Sequence, residues 1–400
     1  MTAHAHPTPA RRSPAPPDAD ARAVRVTGPT GRGTGYLLDG GLLLTSAETA
    51  GATSGTVTFR FPGSDRPWQC ALIWHRYDPT LPRAMRLDAA LLRVLDADWD
   101  EHQDRLRALR QPPSSPPRWG RLTTRRASVP VSLTAFPGED ALVVHGTVSA
   151  ESAVKSGRYR VTLPDPASRR DPEAWPGVPG AALLCHGLVL GVVADAVREP
   201  GTAWLSVVPA ETLLRDSAFR AETAAGPVEA AELQPVLDEG PTPAQEPEPS
   251  ETDALTRWCE APNLFSARLV VGADDDRRRR LARSLVRRMS GREWAAGCIG
   301  ADADRHALGV VTDTFVPTLV VLDRADTRRA VLLDLLDALA RRALTGPAAP
   351  VRLLLLAPDA GQWWRWARAE SPVLRDLPAD TVLSLPGNEP GTHDDRQAEP

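Results

Sequence analysis

The first half of the chain consists of short apolar runs separated by Gly, Pro and Asp. From about residue 24 to 215, runs such as GTVTFRF, CALIWH, VPVSLTAF and LVLGVVAD have the length and β-branched composition of strands. Several short strands with turn residues between them predict an all-β barrel or sandwich. The Pro-rich QPPSSPPRWG and the segment RDPEAW are predicted to be loops.

The hydrophobic pattern changes after about residue 254. Apolar runs (ARLVVG, PTLVVLD, VRLLLLA and TVLSL) alternate with helical segments over 277–290, roughly 328–344 and around 360–370. The apolar positions of the first helical segment recur at helical spacing and lie on one face: Leu281, Leu285, Val286 and Met289. Fully apolar strands that alternate with helices predict a parallel sheet covered on both faces.

Three segments lack such patterns. Residues 1–22 are rich in Pro and Ala and are predicted to be a disordered tail, and residues 387–400 form a polar tail. The acidic, Pro-rich segment 221–253 predicts an extended, solvated linker. The predicted organisation is therefore multidomain, with a β domain over 23–220 and an α/β domain over 254–386.

Composition excludes several classes of function. The net charge of −4 gives no basic field of the kind that holds nucleic acid by neutralising phosphates. The four cysteines form no CxxC pair and no His/Cys spacing typical of zinc, which predicts reduced structural thiols and no metal site. The N-terminus lacks the apolar core of a signal peptide, and no apolar run reaches about 18 residues. We expect a cytoplasmic protein that contacts neither membrane nor nucleic acid.

Three segments of the first half carry a recognisable pattern. GTGYLLDGGLLLTSAETA (33–50), DAALLRV (88–94) and WPGVPGAALLCHGLVLGVV (175–193) resemble, in this order, the His, Asp and Ser blocks of trypsin-like serine peptidases. The resemblance covers about half of the chain and implies a double β-barrel. In that family a serine attacks the substrate, an imidazole takes its proton and a carboxylate orients the imidazole.

Two of these three catalytic residues are replaced. Glu48 stands where the family has its histidine, Asp88 supplies the carboxylate, and Pro179 stands where the family has its serine. Proline has no hydroxyl to attack a carbonyl and no N–H to stabilise an oxyanion, so only the glycines of the turn, Gly177 and Gly180, remain.

Other residues do not restore the triad. The remaining histidines in this region, His75, His145 and His186, fall in or beside other strand-like runs and are expected to be structural or surface residues. Glu48 beside Asp88 would place two acids close together and raise the pKa of one of them. Without an imidazole we expect Asp88 to be a buried carboxylate bonded to backbone.

The second half contains the frame of a phosphate-binding loop. In LFSARLVVGADDDRRRRLARSLVRRM (264–289), the P-loop pattern GxxxxGK[ST] begins at Gly272 but meets Arg277, Arg278 and Arg279 in place of Gly, Lys and Ser or Thr. The single lysine of the chain, Lys155, lies in the other half. The acids 274–276 are expected to cap the following helix or to be solvated, and the arginines 277–280 to form a solvated first turn.

Two further features follow along this half. PTLVVLDRAD (317–326) looks like a Walker B strand ending in Asp323, which we expect to be a relic rather than a magnesium site. The Trp-rich segment DAGQWWRWARAE (359–370) predicts a helix packed on the sheet or a neighbour, with a protein-docking face as the alternative.

The second half as a whole resembles the NTPase module that follows trypsin-like domains in bacterial multidomain STAND-type proteins, truncated after the fifth strand. The resemblance implies a signalling or defence protein whose lid domain and repeats are absent. We therefore predict a double pseudoenzyme that needs no cofactor and binds an unidentified protein partner, with self-association left open. The alternatives are an active serine-type peptidase or weak ATP-binding NTPase with a non-standard site, and a decayed remnant.

Overall fold

The computed structural model describes residues 20–51, 56–78, 80–81, 87–110, 117–153, 157–163, 177–199, 202–234, 236–238, 249–303, 305–345, 349–375, 377–378 and 381–385. The chain divides into two compact units, Met1–Ala231 and Glu232–Pro400. This division falls within the predicted linker. The terminal segments 1–19 and 387–400, the loop RDPEAW and Lys155 lie outside the described residues.

The first six strands close into an antiparallel barrel. Their bounds are Ala23–Gly28 (β1), Gly31–Leu37 (β2), Leu42–Thr45 (β3), Val57–Arg60 (β4), Trp68–Tyr77 (β5) and Asp88–Val94 (β6). The order around the barrel is β1-β2-β3-β6-β5-β4, and pairing of β1 with β4 completes the ring. The short helix Ala47–Ala50 (α1) follows β3, and Trp99–Arg110 (α2) follows β6.

The next seven strands contain a second barrel. Their bounds are Arg118–Arg121 (β7), Val129–Ala135 (β8), Leu142–Val148 (β9), Tyr159–Thr162 (β10), Ala182–Cys185 (β11), Leu188–Glu199 (β12) and Thr202–Pro209 (β13). Strands β8 to β13 pair antiparallel in the order β11-β8-β9-β10-β13-β12, and β11 also pairs with β12. This second ring has six strands, so the two barrels fit the trypsin-like double barrel that the resemblance implies.

Each barrel encloses its own apolar core, and a third core joins the two. The first interior includes Val26, Phe59 and Trp68, and the second includes Leu133 and Leu190. The joining core combines residues of both barrels with two helices after β13, Ala210–Leu214 (α3) and Ser217–Thr223 (α4): Leu44, Trp74, Leu91, Val189, Val208, Leu213 and Phe219. The alternation of strand residues between core and surface is what the sequence pattern predicts.

The second unit contains a mostly parallel six-stranded sheet. Its strands are Leu237–Asp238 (β15), Phe265–Val271 (β16), Ala295–Ile299 (β17), Thr318–Leu322 (β18), Val351–Ala357 (β19) and Val382–Ser384 (β20). The order is β15-β17-β18-β19-β16-β20, and β15 alone runs antiparallel to its neighbour. The predicted parallel sheet is confirmed, while the P-loop assignment of this unit stays a prediction.

The three predicted helical segments of the second unit correspond to Asp275–Ser290 (α6), Arg329–Thr345 (α8) and Gln362–Glu370 (α9). The structure also describes three helices that were not predicted: Pro249–Cys259 (α5), Arg305–Leu308 (α7) and Pro372–Arg375 (α10). The predicted apolar face of α6 is buried in the core of this unit, where it packs with Leu319 and Leu354. The helix ends where Gly291 donates its N–H to carbonyls of the last turn.

The prediction of an extended linker over 221–253 is wrong at both ends. Its first residues complete α4, and Val228–Ala230 (β14) pairs in parallel with β7. Further along, β15 pairs with β17, and α5 begins at Pro249. The sequence analysis judged the segment by its overall acidity and proline content and therefore missed its short apolar stretches. Two of these stretches, β14 and β15, add strands to the edges of the two sheets.

Two smaller predictions also need correction. The end of the predicted loop QPPSSPPRWG forms β7, which pairs in parallel with β12. The predicted disordered tail ends earlier than residue 22, because Asp20 accepts a hydrogen bond from the N–H of Arg22 and donates its own N–H to Thr134. In both places long-range pairing orders residues whose local composition is typical of loops.

Candidate functional site

Asp88 is held against helix α1 in the way the sequence predicts. It is 4% exposed, and its Oδ1 accepts the backbone N–H of Glu48 at 2.9 Å. Helix α1 is itself fixed by its N-cap, Ser46, which accepts the N–H of Thr49. The side chain of Glu48 is exposed. The structure thus supplies a buried, oriented carboxylate beside an exposed carboxylate, and the residues described around α1 include no imidazole.

The pKa of Asp88 is raised to about 6, chiefly because burial disfavours the charged form. The N–H of Glu48 lowers it in part, while the negative charge of Glu48 raises it further. The sequence predicted a raised pKa from the proximity of two acids. The larger cause is burial.

Arg158 is the charged residue of this region that the sequence analysis missed. It is 3% exposed, it precedes β10, and its Nη1 donates to Oγ of Ser206 at 3.3 Å. Its positive charge lowers the pKa of Asp88, and burial lowers the pKa of Arg158 itself, against the charges of Asp88 and Asp195. Nothing in the local pattern separates Arg158 from exposed Arg160, because only the barrel closure decides which of them is enclosed.

The turn that contains Pro179 is tied to the first barrel. Gly177 and Gly180 have φ of 95° and 90°, values that strongly favour glycine. Thr34, on β2, donates its N–H to the Pro179 carbonyl at 2.9 Å and its hydroxyl to the Gly177 carbonyl at 2.5 Å. Thr34 is fully buried, and its two hydrogen bonds attach the turn to the first barrel without the help of a serine.

The three histidines considered as substitutes have exposed side chains. His75 lies on β5, His145 on β9, and His186 in the turn between β11 and β12 with φ of 48°. These positions agree with the surface interpretation.

In the second unit, the loop that follows β16 is filled by the chain's own side chain. Asp274 is the N-cap of α6 and accepts the N–H of Arg277 at 3.0 Å, as expected for a capping acid. Arg278, which the sequence analysis aligned with the P-loop lysine, is 1% exposed and donates to the Gly272 carbonyl and to the Asp275 carboxylate. The prediction that the arginines form a solvated first turn is therefore wrong for Arg278, since its guanidinium finds acceptors inside the turn.

Asp323 follows β18 and has both carboxylate oxygens occupied by protein donors. Its Oδ2 accepts Nε of Arg279 at 2.8 Å, and its Oδ1 accepts the N–H of Arg324 at 2.9 Å. The hydrogen bond to Asp323 is the main cause that raises the pKa of Arg279. The guanidinium of Arg279 thus neutralises the carboxylate that the sequence analysis compared with a Walker B residue.

The Trp-rich helix α9 has two faces. Trp364 and Ala367 are buried, while Trp363 and Trp366 line a cavity of about 330 Å³. Trp364 and Ala367 therefore agree with the predicted packing of this helix, whereas Trp363 and Trp366 face the cavity.

The described residues contain no group of three or more His, Cys, Asp or Glu side chains arranged to hold a metal ion. None of the four cysteines, all of which the structure describes, forms a disulfide, and burial raises the pKa of Cys70 and Cys259 to about 12. Among the helices that the structure describes, none is long and apolar enough to cross a membrane.

No family model matches this chain, and no curated protein matches it. Similar solved structures include the Rv3671c protease of M. tuberculosis in an inactive form, at 19% identity and a TM-score of 0.33, covering 51% of this chain and 90% of that one. Human heparin binding protein is similar at 16% identity and 0.35, covering 49% and 88%. A scabies mite inactivated protease paralogue is similar at 13% identity and 0.32, covering 47% and 87%. TM-scores below 0.5 do not establish a shared activity, so the chemistry rests on the residues of this chain.

Proposed function

We propose that this protein is a catalytically inactive, trypsin-like protease homologue whose barrel unit binds another protein without cutting it. The observation that carries the proposal is the environment of Asp88. Its carboxylate is buried and oriented by helix α1, yet the side chain at the position of the base is the exposed carboxylate of Glu48. Since Pro179 has no hydroxyl and position 48 carries no imidazole, these two positions supply neither the nucleophile nor the base of the serine-peptidase mechanism.

The support for a binding role is that the turn around Pro179 is held in a defined conformation although it has no serine. Gly177 and Gly180 keep left-handed backbone conformations, and Thr34 holds the turn by two hydrogen bonds. Peptide recognition by backbone pairing and side-chain pockets does not require a catalytic serine. A protein segment therefore remains a suitable ligand for this unit.

We further propose that the second unit is a P-loop-like domain that does not hydrolyse nucleotide and that acts as a regulatory module. The support is the pairing of Arg279 with Asp323 and the burial of Arg278 in the loop after β16. A cytoplasmic location is proposed because Cys70, Cys185, Cys259 and Cys298 form no disulfide, and a reducing compartment keeps thiols in that state. The setting in bacterial signalling or defence is inferred from the STAND resemblance alone.

A direct test of inactivity is labelling with a fluorophosphonate probe, together with turnover of casein and peptide esters. The wild-type protein is expected to remain unlabelled and to cleave nothing, whereas an active serine-type peptidase would label stoichiometrically. The variant Pro179→Ser with Glu48→His is the informative companion, because its labelling would show that the turn and Asp88 retain triad geometry even though the natural chain is inert.

Binding is tested by placing a photo-crosslinking amino acid at exposed Glu48, beside the former catalytic position, in the full chain. The same residue at Asp65, an exposed position in the loop between β4 and β5, is the control. The proposal expects a defined adduct from native lysate at position 48 that is absent at position 65. Equal or absent crosslinking at the two positions would contradict the binding role.

A further inference from the structure

A cavity of about 330 Å³ lies in the second unit, at the edge formed by the carboxyl ends of the parallel strands. One wall is the segment that follows β18, and the other is helix α9, which follows β19. In open α/β sheets, ligands bind outside the carboxyl ends of the strands. The volume falls in the range of small-molecule sites. The cavity is separate from Asp323 and its arginine partner, which do not line it.

The walls of the cavity are held by hydrogen bonds. Ala325 donates its N–H to the Leu356 carbonyl at 2.9 Å, and the guanidinium of Arg328 donates to the carbonyls of Ile299 and Gly300 at 3.1 and 2.6 Å. Opposite them, Nε1 of Trp363 donates to the Asp359 carbonyl at 3.0 Å. The segment after β18 is thereby fixed to two neighbouring strands, and the indole of Trp363 is held with its N–H satisfied.

The floor and sides of the cavity are apolar and aromatic. Leu332 and Ala325 are buried at its base, and the indoles of Trp363 and Trp366 form a side. The guanidinium of Arg329 stacks over Trp366 with its carbon 3.5 Å from the ring centroid. Stacking holds the cation at the wall while its N–H groups stay available to a ligand.

Two opposite charges line this cavity without being paired to each other. Oδ1 of Asp326 is buried and has no hydrogen-bond partner in the part of the chain that the structure describes. Arg329, three residues later, forms no ion pair within those same residues. A buried carboxylate oxygen without a donor is costly, and buried polar groups are nearly always satisfied. Asp326 as a whole is partly exposed and Arg329 is exposed, and both line the cavity, so the cavity presents one carboxylate and one guanidinium to a ligand.

We propose that this cavity binds a free α-amino acid with a large apolar side chain. Its ammonium group donates to Asp326, its carboxylate accepts from Arg329, and its side chain packs on Leu332 and the indoles of Trp363 and Trp366. A ligand with a single charge would satisfy only one of the two protein charges. The site is independent of the protease-like chemistry and goes beyond the proposed binding role.

Isothermal calorimetry on the full-length protein with L-leucine and L-phenylalanine tests the proposal directly. L-leucine is not fluorescent, so a saturable change of the intrinsic tryptophan emission reports its arrival beside Trp363 and Trp366. Phenethylamine and 3-phenylpropanoate each keep the aromatic group and one charge, and both should bind at least about tenfold more weakly than L-phenylalanine. Equal binding by phenethylamine would overturn the proposal in favour of a cation site, such as one for an arginine side chain of a protein.

Matched substitutions decide whether the two charges do the binding. Asp326→Asn and Arg329→Gln should each weaken L-phenylalanine binding by about tenfold or more. The controls Asp337→Asn and Arg341→Gln, on the exposed face of the same helix, should leave it unchanged. Circular dichroism melting verifies that each variant is folded. Unchanged affinity in both cavity variants, or no amino-acid binding to the wild-type protein at about 10 mM ligand, would overturn the proposal.

Discussion

Nε of Arg279 donates to Oδ2 of Asp323 at 2.8 Å, and this bond joins the first turn of α6 to the carboxyl end of β18. Both side chains are about three-quarters buried, with 29% and 25% of their surfaces exposed. If the predicted P-loop alignment holds, this pair occupies the position between the loop and the acidic residue where a metal ion would bind. The two residues thus satisfy each other instead of a ligand.

Replacing Arg279 with Ala should lower the free energy of unfolding by about 1 kcal/mol, because a partly buried ion pair loses one partner. The loss should shrink in about 1 M NaCl, which screens the charge left on Asp323. Urea unfolding at low and high salt measures both effects. Arg341→Ala, which removes an exposed pair with Asp337, is the control and should cost less.

ATP and GTP should bind no more tightly than about 1 mM, with or without magnesium. The reason is that Arg278 fills the loop after β16 and Arg279 occupies Asp323, so neither a phosphate cradle nor a metal ligand is free. Calorimetry measures this directly. Micromolar affinity for either nucleotide would contradict the regulatory interpretation and favour the weak NTPase alternative.

The acids at the N-terminus of α6 should contribute unequally to stability. Asp274→Ala should cause the larger loss of stability, because Asp274 is the N-cap and accepts the N–H of Arg277. Asp276→Ala should cost much less, since its side chain is 78% exposed and lies 3.9 Å from Arg279. Thermal and urea unfolding of the two variants provide the comparison. Equal losses would mean that the acids act through net charge and not through the cap.

Asp88→Asn should become more stable relative to wild type as the pH rises from 4 to 7. The pKa of Asp88 is about 6 in the folded protein against 3.8 as its ordinary value, so the folded state holds a proton in this range that the unfolded state releases. Wild-type stability therefore falls as the pH rises through this window, by on the order of 3 kcal/mol from this group. Asparagine does not ionise and avoids the loss, as urea unfolding at several pH values would show.

Asp98→Asn is the matched control for the pH experiment. The hydrogen bond from Arg66 lowers the pKa of Asp98, so its replacement should change the pH dependence in the opposite direction and at lower pH. If Asp88→Asn shows the same pH profile as wild type, Asp88 is not a buried, destabilised carboxylate.

Gly180→Ala should destabilise the barrel unit far more than Gly187→Ala. Both glycines have positive φ, 90° and 78°, so both substitutions carry a backbone cost of about 1–2 kcal/mol. At Gly180 the new Cβ would also lie 2.0 Å from the Thr34 carbonyl oxygen, whereas nothing lies within 4 Å of it at Gly187. The difference in unfolding free energy between the variants measures the inter-barrel contact, and similar losses would show that the turn at residue 180 tolerates displacement.

Local pattern was sufficient for much of the fold. The alternation in runs such as VPVSLTAF and the fully apolar VRLLLLA correspond to β8 and β19, because side chains alternate between faces of a half-buried strand and do not alternate in a strand covered on both sides. The predictions that rest on Glu48, Pro179 and Arg278 come from the sequence itself, since they concern the chemistry of the residue types and not the contacts of each residue.

Tertiary structure alone decided what the charged residues do. Arg278 and Arg280 belong to one run of four arginines, yet Arg278 is 1% exposed and Arg280 is partly exposed, because only one of them points to the carbonyl of Gly272 and the core of the unit. The same holds for Arg158, enclosed by barrel closure, and for Asp326, brought beside a tryptophan helix that lies about forty residues away in sequence. Burial and partnership depend on contacts between distant segments, and a linear pattern carries no information on them.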